Sequence, residues 1–149
     1  MTKLNKKLIL YIIGLLLVFN GGAMFISSIV SFIYSDGFFK EIIQSAIIVV
    51  VLGWILMIFF KKNIRQINKR DGYLIVTIGW LTMVFSGMIP YYLTGSITNF
   101  HNLFFESMSG YTTTGSTILN DIESLPKGII FWRSIAKNRN RTWPKYFFY

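Results

Sequence analysis

Tyr111-Thr112-Thr113-Thr114-Gly115-Ser116-Thr117 sets hydroxyl-bearing residues around a glycine, directly after a short apolar segment, Phe100 to Met108, whose single charge is Glu106. An extended Thr-Thr-Thr-Gly backbone can turn successive carbonyls toward one axis and so replace the water around a cation. Gly115 would take a conformation that a side chain hinders. Threonine hydroxyls behind the carbonyls would hold the strand in place. The same residues also fit a plainer reading, a Ser/Thr-rich turn outside the membrane after an interfacial helix, and spacing alone does not choose between the two. Covalent catalysis fits poorly. It needs paired acids, a serine beside a histidine or a metal cluster, and within the apolar segments the charges are Glu106 and Arg133 alone. The chain is therefore not read as an enzyme.

Glu106 is an ionisable group inside an apolar segment, which makes it a functional candidate by default. It is expected to pair with Arg133, about 10 Å beyond Pro126 along the next helix at 1.5 Å per residue, and to brace the loop. The alternative is that each charge snorkels to water separately. Gly110 is placed to cap the short helix in a left-handed conformation. His101, alone at the outer start of that helix, reads as a hydrogen-bonding residue and not as a metal ligand, since metal sites want several ligands. Asp121 and Glu123 would stand in a solvated loop near the outer mouth, where they would raise the local cation concentration. The chain has no cysteine, so neither a disulfide nor a thiolate metal site is available. No cofactor is indicated.

The elements that must position these residues are long apolar helices. Of 149 residues, 53% are hydrophobic and 14% charged, well below the roughly 25% charged of a soluble domain. The net charge of +9 would point to nucleic acid in a soluble protein. Here the basic residues sit between long uncharged runs and point to membrane topology instead. Leu8 to Tyr34 is uncharged over 27 residues, too long for a signal-peptide core of about 7–15 residues. It is read as a retained span, with Asn20, Gly21 and Gly22 marking a bend or a close helix contact. Ile42 to Phe60 gives a second span. Gly72 to Phe105 is too long for one crossing and divides at Leu93-Thr94-Gly95-Ser96. Tyr73 to Leu93 is then a third span, and Asn99 to Gly110 a helix of about 18 Å, too short to cross.

With the N-terminus in the cytoplasm, Lys3, Lys6, Lys7, Lys61, Lys62, Arg65, Lys69 and Arg70 fall inside, and Lys40 and Lys127 outside. This is a strong positive-inside bias. The short helix and polar turn then begin and end on the outer side, the pattern of a re-entrant loop. Irregular backbone is tolerated at that depth only inside protein or beside a water-filled cavity. The partly negative C-terminal end of the short helix would face the loop and favour a cation.

The segment Phe104 to Thr117, FFESMSGYTTTGST, resembles the first pore loop of the TrkH/KtrB family of potassium transporters. The flanks resemble the family too: Asp71-Gly72-Tyr73-Leu74-Ile75-Val76 opens the preceding helix, Pro90 closes it, and Ser124-Leu125-Pro126 leads to Phe131-Trp132-Arg133-Ser134. The resemblance covers about residues 8 to 135. It implies an all-α integral membrane fold in which four helix, pore-helix, helix units surround a pseudo-fourfold channel-like pore. Here an N-terminal helix pair (1–70) precedes the first such unit (71–135). It also implies passive potassium transport through a backbone-carbonyl selectivity filter at Thr112, Thr113, Thr114, Gly115 and Ser116, supported by Glu106, Gly110 and Arg133. The implied setting is the lipid of a bacterial inner (plasma) membrane. The implied partners are a second copy of the subunit and a cytosolic nucleotide-binding regulatory ring.

The sequence departs from the family after Arg133. The pattern calls for an apolar, glycine-containing inner helix, whereas residues 136–149 form a basic tail, leaving the final inner helix incomplete. One filter loop of four is present. The expectation is a truncated, non-conducting product, with a frameshift within the inner helix as its origin. The competing function is a small membrane interaction protein without transport activity.

Overall fold

The computed structural model describes residues 5–60, 69–119, 122 and 125–137, and these are helical apart from their connections. In chain order the helices are α1 (Lys6–Tyr34), α2 (Phe39–Phe59), α3 (Lys69–Leu93), α4 (Phe100–Tyr111) and α5 (Lys127–Lys137). The first three are long and apolar enough to cross a membrane. Their outward faces carry large apolar side chains such as Phe19, Trp54 and Phe59, as expected where the solvent is lipid.

Residue type sets the helix ends. The Asn5 side chain accepts from the Leu8 N–H at 3.2 Å, and the Asn99 side chain accepts from the His101 N–H at 3.0 Å. Each satisfies one of the unpaired donors of a first turn. α1 is unbroken for 29 residues, about 43 Å at 1.5 Å per residue. Of the two readings of Asn20-Gly21-Gly22, the close contact is the one observed. Pro90 lies inside α3, which continues one turn further to Leu93. Thr94 then bonds back to the Pro90 carbonyl through both its N–H (3.1 Å) and its hydroxyl (2.8 Å).

α1 and α2 form an antiparallel hairpin closed by residues 35–38, and glycine sets how closely they approach. A Cβ on Gly14 would stand 2.7 Å from the Gly53 carbonyl oxygen, and one on Gly53 2.7 Å from that of Gly14. A Cβ on Gly21 would meet Val50 Cγ2 at 2.5 Å. Small residues let membrane helices pack backbone to backbone, where dispersion has to replace the hydrophobic effect. α3 runs parallel to α1: the Asn5 N–H donates to Asp71 at 3.3 Å at one end, Gly79 meets Leu16, and Asn20 donates to Ser86 at 2.7 Å halfway along. The start of α5 is fixed at the hairpin turn. The Asp36 carboxylate accepts from the Gly128 N–H at 2.9 Å and from the Phe38 N–H at 3.1 Å, and also bonds the Ser31 hydroxyl. An acid at a helix N-terminus both pairs an orphan donor and meets the favourable end of the dipole. Met24, Ile42, Val49, Ile129 and Trp132 fill the space between these helices.

The glycine contacts predict that Gly53→Ala lowers stability in detergent by about 1–3 kcal/mol through overpacking. Gly22→Ala, where a Cβ meets nothing within 4 Å, is expected to be neutral or mildly stabilising. Thermal unfolding of the two variants side by side checks the contrast.

Candidate functional site

α4 starts beside the end of α3 and returns into the molecule. Its last residue, Tyr111, reaches Asn20 of α1 with a hydroxyl-to-amide bond of 2.7 Å. Asn20 stands 14 residues before the end of α1, about 21 Å down that helix. The chain then climbs back to Gly128 at the hairpin turn. α4 and the loop after it therefore enter and leave at one end of the helices, the path expected of a re-entrant segment.

The loop begins one residue later than the sequence pattern indicates. Gly110 is inside α4 and is not its left-handed cap; the helix runs through it to Tyr111, and Thr112 is the C-cap. The left-handed residues are Thr113 (φ 56°) and Gly115 (φ 77°). The cause is local bonding. The Thr112 N–H and hydroxyl both donate to the Met108 carbonyl, at 2.9 and 2.8 Å, which prolongs the helical turn. With that hydroxyl hydrogen used, Thr114 is the donor in the 2.9 Å Thr112–Thr114 hydroxyl pair. A branched side chain at φ 56° costs roughly 1–2 kcal/mol, and the Thr113 N–H bond to Gly110 at 3.1 Å helps hold it there. Thr112 and Thr113 thus form a turn, and the chain leaves it at Thr114.

Two ties fix the far side of the loop. The Ser109 hydroxyl donates to the Ser116 carbonyl at 2.6 Å, so this carbonyl, the outermost of the expected coordinating set, is engaged with α4. The Thr117 hydroxyl donates to Glu106 Oε2 at 2.9 Å, and the Leu119 N–H donates to the Thr117 hydroxyl at 3.1 Å. Glu106 is almost fully buried, at 1% exposure, and its Oε1 accepts from Arg133 Nε at 2.6 Å. The pairing expected from the sequence is present, and each charge has a partner instead of reaching separately for water. One carboxylate therefore joins α4, the loop and α5. Thr112, Thr113 and Thr114 are exposed and Gly115 is half-buried, on a side that no other described element covers.

Several contributors escape sequence reasoning. Asn20, expected to mark a bend or a close helix contact, bonds both Tyr111 and Ser86. The Tyr111 ring lies against Gly87, where a Cβ would fall 2.6 Å from the ring edge. The Gly87 carbonyl accepts from the Trp132 indole at 3.3 Å. An uncharged polar residue in mid-span was the available signal for Asn20. Nothing in the local pattern marks Gly87 or Asp36. Asp121 and Glu123 lie outside the described residues, and His101 is exposed at the start of α4.

Membrane-length helices around a short returning helix and a hydroxyl-rich loop define an all-α membrane protein, and the comparisons agree on its kind. Residues 38–142 match the TrkH model, described as a cation transport protein, and the chain belongs to that family. The chain is 34% identical to the Trk system potassium uptake protein TrkH of Escherichia coli K12 over 135 residues, 90% of this chain and 28% of that protein. It is 32% identical to an uncharacterized cation transporter of Methanocaldococcus jannaschii over 139 residues, 92% of this chain and 28% of that one. The crystal structure of the potassium transporter TrkH from Vibrio parahaemolyticus superposes with a TM-score of 0.83 at 28% identity, covering 89% of this chain and 29% of that structure. The chain thus spans little more than a quarter of the length of these relatives. Its family consists of ion transporters, not enzymes.

Removing one member of a buried ion pair leaves an uncompensated charge, at a cost of about 3–5 kcal/mol. Glu106→Gln or Arg133→Met alone is expected to lose that much stability, and the double variant to recover a large part of it. A double-mutant cycle by reversible unfolding in detergent reads the coupling directly.

Proposed function

We infer that this chain supplies an N-terminal helix pair (1–70) and the first pore unit (71–135) of a potassium-conducting membrane transporter. Its function is to contribute one quarter of a backbone-carbonyl selectivity filter. The observation that carries this reading is the position of the loop: a strand with a left-handed Gly115 follows a helix that returns to the depth of mid-α1, in a chain of a cation transport family.

Carbonyls of Thr112, Thr113, Thr114 and Gly115 serve as ion ligands, replacing water around a potassium ion that moves passively and forms no covalent bond. Ser116 contributes by holding the strand against Ser109. Glu106, Arg133 and Thr117 tie the far end of the strand to α4 and α5, and the partly negative end of α4 favours the cation. A complete filter needs three further loops, from additional sequence or from other chains. The proposed setting is a bacterial inner membrane with the N-terminus in the cytoplasm, a homodimer of the complete subunit and a cytosolic nucleotide-binding regulatory partner. The basic residues before the first span and between the second and third spans support that orientation.

The test places this segment in the corresponding part of the Escherichia coli relative, in a strain lacking its own potassium uptake. Growth at low potassium and rubidium uptake are expected, and Gly115→Val is expected to abolish both, because a Cβ in the left-handed region costs roughly 1–2 kcal/mol and displaces the neighbouring carbonyls. A folded chimera without uptake, or a Gly115→Val chimera that transports like its parent, rejects the reading and favours a membrane interaction protein.

A further inference from the structure

The N-terminal helix pair contributes no residue to the loop, yet a buried polar chain runs from it to the loop's first position. Tyr111, the residue immediately before Thr112, donates its hydroxyl hydrogen to Asn20 Oδ1 at 2.7 Å across 91 residues of sequence. The Asn20 amide nitrogen donates to the Ser86 hydroxyl at 2.7 Å, and Ser86 donates to the Met83 carbonyl at 3.1 Å. Tyr111, Asn20 and Ser86 each donate one bond along this series. Asn20 is 3% exposed and Ser86 6%, and in such surroundings a polar side chain deprived of its partner has no water to turn to. The Tyr111 ring is seated as well as bonded. It fills the space left by the missing side chain of Gly87, whose carbonyl also receives the Trp132 indole.

This arrangement fixes where the loop begins. Thr112 follows Tyr111 directly, and the left-handed Thr113 would relax toward ordinary backbone if the preceding residue could rotate. The Glu106 and Ser109 ties act at Thr117 and Ser116, at the far end. Apart from the seat of the Tyr111 ring at Gly87, Asn20 gives the near end the one hydrogen bond, among those described, that reaches outside α4 and the loop.

We propose that Asn20 of α1 is the positioning residue for the proposed filter loop, setting the placement of Thr112 to Gly115 through the Tyr111 hydroxyl. The N-terminal helix pair is then part of the filter's support and not only a membrane anchor. The consequence for transport rests on the functional reading above; the placement itself does not.

Because the chain has no cysteine, Thr114→Cys gives a single nitroxide site in the full 149-residue protein in lipid nanodiscs. The parent spectrum is expected to contain an immobilised component. That component is lost in Asn20→Leu, lost equally in Tyr111→Phe, and reduced no further when the two are combined, while circular dichroism shows unchanged helix content. Asn20→Asp, which keeps an acceptor oxygen in place, is expected to retain it. Tyr111→Phe removes one oxygen and keeps the ring, so it serves even if Asn20→Leu fails to fold. A spectrum unaffected by Tyr111→Phe, or one in which the two substitutions add, overturns the proposal. No ion flux enters this measurement, so loss of uptake in the chimera with the nitroxide response intact rejects the transport reading alone.

Discussion

Glu106 and Arg133 meet at 2.6 Å in a region from which water is largely excluded, and much of the site depends on that contact. Neither charge would be tolerated there alone, because the cost of removing one from water is several kcal/mol even after relaxation. Together, and with Thr117 occupying the second carboxylate oxygen, they turn two liabilities into a three-way junction. The short helix, the polar loop and the last described helix are joined through one side chain. Since α5 is also fixed at its start by Asp36, the junction ties the loop to the turn of the N-terminal hairpin.

The loop is a compromise between two demands on backbone at membrane depth. Buried N–H and C=O groups need partners, yet on the proposed reading a coordinating strand must leave some carbonyls for its ligand. The chain meets the first demand with hydroxyls. Thr112 prolongs the helix, Ser109 takes the Ser116 carbonyl, and Thr117 supports both Glu106 and the Leu119 N–H. This explains the density of serine and threonine around the loop better than coordination by side chains would. The strain at Thr113 is the cost of leaving the helix abruptly, and the bonds on either side keep it in place.

The helical scaffold obeys a different economy. With lipid outside, apolar side chains gain little by facing inward, and the contacts that hold the helices together come from close approach and from buried polar pairs. Gly14 against Gly53 and Gly21 against Val50 bring α1 and α2 together. Asn20 with Ser86 and Asn5 with Asp71 align α1 with α3. Among the described residues, Trp54, Trp80 and most phenylalanines lie on the outer surface, whereas Trp132 is buried.

The sequence by itself determined the membrane spans, the short fourth helix, the polar loop and the Glu106–Arg133 pair. Each of these is written in hydropathy, in charge placement, or in the rarity of an ionisable group within an apolar run, and all are legible over a few residues or one helix length. The family resemblance followed from the same local stretches. The end of α4 was settled locally, by the bonding of Thr112 to Met108 that displaced the cap assigned to Gly110, whereas tertiary structure alone decided why Asn20, Gly87 and Asp36 occupy their positions. Those residues act through partners 45 to 92 positions away. No periodicity or local propensity encodes such a pairing; it exists only once the helices have packed and each buried polar group has found the one partner within reach.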